Sequence, residues 1–185
     1  MDRRFEGDRN NDCLISVDTL DFQIPEPYPF EKGWSERWVS HKNNKPGLRY
    51  EIALSIIGGD ICWTNGPFPC GSHNDWKIFS QEGLAHQLEV NERVEADDGY
   101  RAGDPDLCKT PYSPYHPKGN KDVRRRVMGR QEAINKKIRE WQILKRVFRH
   151  DISKHSSVFS AVSVIVQLKI ENGEPLYSCA EYLDV

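Results

Sequence analysis

The residues of this chain best suited to chemistry are its carboxylates, and they are segregated from its cations. From Lys118 to Arg149 the sequence holds twelve Lys or Arg against three acids, a balance of +9, so the remainder must carry −11 to reach the formal net charge of −2. A basic segment can neutralise phosphates, and a carboxylate-rich remainder supplies hard oxygen ligands for divalent cations. A solvated helix face is the other reading of the basic run. Asp18 closes the apolar run CLISVDT, and Asp97 follows ERVEA (Glu92 to Ala96). At a strand end, an aspartate can also serve as a turn former that bonds nearby backbone amides. Cys62, Cys70 and His73 are zinc-ligand types, but their spacing matches no common structural site and a fourth ligand is not evident. The five cysteines are odd in number, scattered and without a CxxC pair, which predicts reduced thiols rather than a disulfide framework.

The elements that must position these groups follow from apolar spacing and from Pro and Gly. Cys13 to Thr19 reads as a buried strand. Residues 25 to 48 carry Pro25, Pro27, Pro29, Gly33, Pro46 and Gly47 and read as an irregular insertion. Arg49 to Ile57 and Ile61 to Thr64, joined through Gly58-Gly59-Asp60, predict a hairpin. His73 or Asn74 could cap a helix whose apolar positions include Trp76, Ile78 or Phe79, Leu84 and Leu88. Glu92 to Ala96 predicts a short strand, and the Pro-rich stretch from Tyr100 to Gly119 a second excursion. A long helix is expected from about Val123 to Phe148, and another over Ser156 to Glu171, stopped by Asn172-Gly173. Three antiparallel strands followed by a strand reached through a helical crossover give an α/β fold, a mixed sheet flanked by helices. The expected organisation is a polar tail over 1–12 and one domain over 13–185, with insertions at about 25–48 and 100–119. No stretch approaches the roughly 18 to 20 apolar residues needed to cross a bilayer, and the N-terminus is polar rather than a signal sequence, so a soluble intracellular protein without membrane contact is expected.

Three segments carry a family resemblance. SVDTLDFQI (Ser16 to Ile24), ADDGY (Ala96 to Tyr100) and GRQEAINKKIREWQILKRVFRH (Gly129 to His150) resemble, in order and spacing, the three catalytic motifs of Harbinger-like DDE transposases. GSHNDWKIF (Gly71 to Phe79) and SHKNNKPGLRYEI (Ser40 to Ile52) are similar to further family segments. The resemblance implies an RNase H-like fold, a nuclear protein and a DNA substrate. It also implies Asp18, Asp97 and Glu132 as catalytic, metal-binding carboxylates for Mg²⁺ or Mn²⁺. In such a site Asp18 would bridge two ions and Asp97 and Glu132 would each hold one. Two divalent ions about 3.5 to 4 Å apart can generate a nucleophilic water and stabilise a departing 3′ oxygen, and in the family the freed 3′-OH can then attack a second phosphate. At 100° per residue Glu132 projects about 160° from the stripe of Ile134, Ile138 and Trp141, so this role requires the stripe to pack on the Ser156 to Glu171 helix.

Lys42, Lys45, Lys118, Lys121, Arg124, Arg125, Arg126, Lys136 and Arg139 are the candidate DNA contacts, with Trp34, Trp38 and His41 as aromatic neighbours on the first excursion. His150 and His155 could orient substrate but lack the spacing of a metal pair. Such transposases usually carry a DNA-recognition region before the first motif, and only seventeen residues precede Asp18. The expectation is therefore a fragment, a truncated gene product, or a core that depends on a separate DNA-recognition partner or on a homo-oligomer. The alternatives are a domesticated, catalytically silent nucleic-acid or protein-binding module on the same fold, or a plain metal-dependent nuclease without strand transfer.

Overall fold

The computed structural model describes residues 13–27, 36–89, 92–101, 107–110 and 121–184. The expected N-terminal tail, much of both expected insertions, Trp34 and Lys118 lie outside the described residues.

β1 (Cys13–Gln23) is four residues longer than its apolar run predicts. The extension survives because Asp21, a charge inside a strand, faces Arg49 directly across the ladder. Asp18 is consequently in mid-strand, not at a strand end. β3 (Lys45–Ser55) pairs antiparallel with β1 from Gln23↔Gly47 to Ile15↔Ser55. It starts inside the stretch expected to be irregular. Pro46 is tolerated there because it is the second residue of β3, opposite Ile24 just beyond the end of β1; its carbonyl accepts from Ile24 N–H (3.1 Å), and the two-residue strand β2 (Val39–Ser40) pairs at the same end of β3. β4 (Ile61–Pro69) completes the predicted hairpin on the same side of β3.

α1 (Asp75–Gln81) is capped by Asn74, whose side chain accepts from Lys77 N–H (2.8 Å). The expected longer helix stops at Glu82 because Gly83 takes φ +140°, and a single 3₁₀ turn (Ala85–Gln87) follows. β5 (Arg93–Ala96) then lies parallel to β1, and β6 (Cys108–Lys109) parallel to β5. The strand order is β2-β3-β1-β5-β6 with β4 also on β3, a mixed sheet.

α2 (Lys121–Arg139) ends sooner than predicted, and α3 (Gln142–Lys145) is a separate turn. No Pro or Gly separates them. Trp141 adopts an extended conformation (φ −66°, ψ 120°), which lets Leu144 enter the core and Phe148 N–H reach Gln23 O (3.0 Å). α4 (His155–Glu171) matches its expected span despite its β-branched residues, because Phe159, Val162, Val166 and Ile170 give it a buried stripe.

Strand alternation divides the core between two faces. Ile15, Val17, Ala53, Val94 and Ala96 pack with Phe79 and Leu84 on the α1 side. Leu20, Phe22, Tyr50, Ile52 and Leu54 pack with Ile134, Ile138, Phe159 and Val166 on the side of α2 and α4. This is the α/β arrangement expected, an RNase H-like mixed sheet flanked by helices. Among the described residues, no helix is long and apolar enough to cross a membrane.

Candidate active site

The last rung of the parallel β1–β5 pair joins Val17 to Ala96, and the next residue on each chain is an aspartate, Asp18 and Asp97. The two acids thus stand side by side where β5 ends, the carboxyl-end position at which open α/β sheets place ligands. β1 runs on from there against β3 alone.

Each carboxylate is aimed by hydrogen bonds. Thr19 N–H donates to Asp18 Oδ1 (2.7 Å) and Asn135 Nδ2 donates to Asp18 Oδ2 (2.6 Å). Gly99 N–H donates to Asp97 Oδ1 (2.8 Å), with Asp97 capping the 3₁₀ turn Asp98–Tyr100. Burial, then the charge of Asp97, lifts the Asp18 carboxyl to about 6, against the pull of Thr19 N–H and Lys42 and with a small push from Asp75. Burial also raises Asp97, with Asp75 adding to it and Gly99 N–H and Lys42 opposing it.

α2 is pinned over these strands by its polar inner face. Arg124 pairs with Glu95 (2.9 Å) and donates to Ala96 O on β5; Gln131 accepts from Ser16 Oγ (2.9 Å) and donates to Ile52 O (3.1 Å); Asn135 reaches Asp18. Gln131 and Asn135, one turn apart, are therefore the helix positions that look onto β1. Glu132 is exposed, a residue beyond Gln131 and three before Asn135, hence about 60° round the helix from the Asn135 direction and one turn back. The stripe of Ile134 and Ile138 packs on both the sheet and α4, so the packing on α4 that the Glu132 role requires is met only in part.

A second ring of groups lies behind the pair, and sequence reasoning missed it. Arg49 forms a two-pronged bond with Asp21 (2.6 and 2.9 Å) and also donates to Asp75 Oδ1 (2.9 Å) and His73 O (3.1 Å). Thr19 Oγ1 donates to the same Asp75 oxygen (2.6 Å), so one residue ties Asp18 to Asp75. A methyl group on Gly99 would lie 2.3 Å from Asp75 Oδ2 and 3.0 Å from Asp97 Oδ1, so these two oxygens crowd one glycine. Glu51 is fully buried; burial raises its carboxyl to about 8, Trp63 Nε1–H (3.0 Å) opposes that and Asp75 adds to it. Asn135 had a readable signal, a neutral polar residue at i+4 from Gln131, so that the two share one face of the expected helix. Glu51 and Arg49 had none, since strand pairing alone brings them to this site.

The basic residues divide. Lys42 is exposed in the β2–β3 turn, and its charge reaches Asp18 and Asp97. Lys45 and Lys136 are exposed, and Arg139 is half-buried. Arg125 is exposed beside Asp122 (2.8 Å); Arg126 pairs with Glu181 and donates to Ser178 O (2.9 Å). Arg124 is turned inward, and nothing is described of the Lys121 side chain. His155 is a core residue, fully buried, stacked on Tyr50 and held neutral by burial at about 4, while His150 is exposed.

Among the described residues no three His, Cys, Asp or Glu side chains form a ready-made metal site, the Cys62, Cys70 and His73 set included, and no disulfide joins the described cysteines. The donors at Asp18 and Asp97 still fit a hard divalent cation. They are two adjacent carboxylates that repel each other, beside a buried Asn135 Oδ1 that has no hydrogen-bond partner. No curated protein and no solved structure gives a match to the chain. The family described as DDE superfamily endonuclease matches residues 17–167, from the residue before Asp18 to well inside α4. With that match over most of its length, and an aspartate pair where the two parallel strands end, the chain belongs to the DDE superfamily endonucleases.

Proposed function

We propose that this chain is a transposase-type endonuclease core of the Harbinger-like kind, cutting DNA phosphodiesters with Mg²⁺ or Mn²⁺ and transferring the freed strand. The observation that carries the proposal is the side-by-side placement of Asp18 and Asp97 at the end of the β1–β5 pair, inside the matched segment. When bound in the two-ion arrangement, divalent cations would supply a water-derived nucleophile and charge stabilisation for the departing 3′ oxygen.

The chain's own residues do the positioning. Asp18 and Asp97 supply anionic oxygens, and Thr19, Asn135 and Gly99 hold those carboxylates in place. Glu132, at the exposed rim of α2, is the acid that would join them from the substrate side. Lys42, Lys45, Lys136 and Arg139 are the described cations that would meet phosphates, together with Arg125 and Arg126, and Lys118 and Lys121 of the basic segment are proposed as further contacts from the sequence. Arg124 serves the fold instead, tying α2 to β5.

The test is incubation of the protein with labelled DNA ends and Mn²⁺, resolving nicked from joined products. The expected result is both products from the wild type and neither from Asp18→Ala. Nicking without joining reduces the protein to a plain nuclease. The exposed Glu132 and the absence of a three-acid cluster among the described residues favour a second reading, the catalytically silent binding module. That reading predicts DNA binding with no product under any divalent cation.

A further inference from the structure

We propose that Asn135, on α2, supplies the third oxygen ligand of the cation site, its neutral Oδ1 joining the carboxylates of Asp18 and Asp97. This rests on the cation site of the proposed function and names a member of it that the family motifs do not assign.

Three observations converge on Asn135. Its side-chain amide touches the site directly, because Nδ2 donates to Asp18 Oδ2 at 2.6 Å. The other end of the same amide, Oδ1, is buried on a residue only 4% exposed and has no hydrogen-bond partner. A buried acceptor left unpaired costs about 1 to 3 kcal/mol, so a fold that keeps one beside two carboxylates favours something electropositive there. The third observation is geometric. Gln131 is fixed over Ser16 and Asn135 over Asp18, a helical turn matched to two residues of strand, so the helix presents position 135 to the aspartate pair and leaves 132 at the rim. A hard divalent cation accepts neutral carbonyl and amide oxygens alongside carboxylates, and a neutral ligand beside two anionic ones leaves room for anionic phosphate oxygens.

The competing explanation is a positioning role, in which only the Asn135 NH₂ group is needed to orient Asp18. Mn²⁺ binding, followed by calorimetry and by the loss of free-ion electron paramagnetic resonance signal, separates the two. If Oδ1 is a ligand, Asn135→Ala weakens Mn²⁺ by about tenfold or more, while Asn135→Asp, which keeps an oxygen there but cannot donate as a carboxylate, binds at least as tightly as the wild type above pH 7. If Asn135 only positions Asp18, Asn135→Asp weakens binding as Asn135→Ala does, and the inference is wrong. Circular dichroism in EDTA checks that each variant is folded, with Asn135→Ser standing in for Asn135→Ala if the latter is not. Wild-type protein that binds no Mn²⁺ overturns the cation site and the Asn135 role together; wild-type binding left unchanged in Asn135→Ala overturns the Asn135 role alone.

Discussion

Replacing Asp18 by Asn should make the metal-free protein more stable while abolishing its proposed activity. The Asp18 carboxyl is lifted from an ordinary 3.8 to about 6, chiefly by burial and then by Asp97. A raised carboxyl means that the folded state holds its proton more tightly than the unfolded chain, so the fold loses stability as pH climbs from about 4 through 6. Above that window the penalty reaches about 3 kcal/mol, at about 1.4 kcal/mol for each tenfold change. The carboxamide removes the charge and its repulsion. It can still accept from Thr19 N–H, and its NH₂ can donate to Asn135 Oδ1 once the Asn135 amide turns over, which supplies a partner to an acceptor that now has none. Allowing about 1 kcal/mol for imperfect bonds leaves a gain of about 2 kcal/mol. For a chain of this size that is a rise of about 4 to 8 °C in Tm. The assay is thermal and urea unfolding in EDTA at pH 8 and at pH 5, where the wild-type Asp18 is largely protonated and the gain should shrink. Asp18→Asn less stable than the wild type at pH 8, or a difference independent of pH, would refute the claim that these acids are held together at a cost to the fold.

The buried Glu51 gives a second pH test. Its carboxyl is raised to about 8, so wild-type stability should fall as pH rises from about 4.5 through 8, and Glu51→Gln, which keeps an acceptor for Trp63, should escape the loss. The gain should be near zero at pH 4 and grow toward a ceiling of about 5 kcal/mol at pH 9, read by urea unfolding. Arg49→Met strands Asp21, whose side chain is only 3% exposed, and should cost about 3 to 5 kcal/mol in the same assay; a loss under about 1 kcal/mol would show that the Arg49 network contributes little. On duplex DNA, Lys42→Ala, Lys45→Ala, Lys136→Ala and Arg139→Ala should each lower the slope of log binding constant against log salt by about 0.9 if each meets one phosphate. Arg124→Met should instead reduce stability and leave that slope unchanged.

Much of the fold was legible because local chemistry and tertiary packing agree. The hairpin between β3 and β4, the crossover through α1 to β5, and α4 all lie where apolar spacing, glycine turns and the Asn74 cap put them. Boundaries moved where a tertiary partner extended or interrupted a local pattern. β1 runs on through Asp21 because Arg49 lies opposite, and α2 stops before Trp141 so that Leu144 and Phe148 can close the core.

For the candidate site, the sequence by itself named the candidate acids and their order: Asp18 in an apolar run, Asp97 after a short strand, Glu132 in a basic helix. It could do so because each motif is local, a few residues whose types are meaningful without knowing their neighbours in space. Only the tertiary structure decided which side chains meet. The parallel register sets Asp18 beside Asp97, the β1–β3 ladder brings in Arg49 and Glu51, and the seating of α2 turns Asn135 inward while Glu132 stays exposed at the rim. Rotation of a helix by one residue is 100°, a quantity fixed by packing across the sheet and invisible to any motif, and on it depends which group of α2 stands over the aspartate pair.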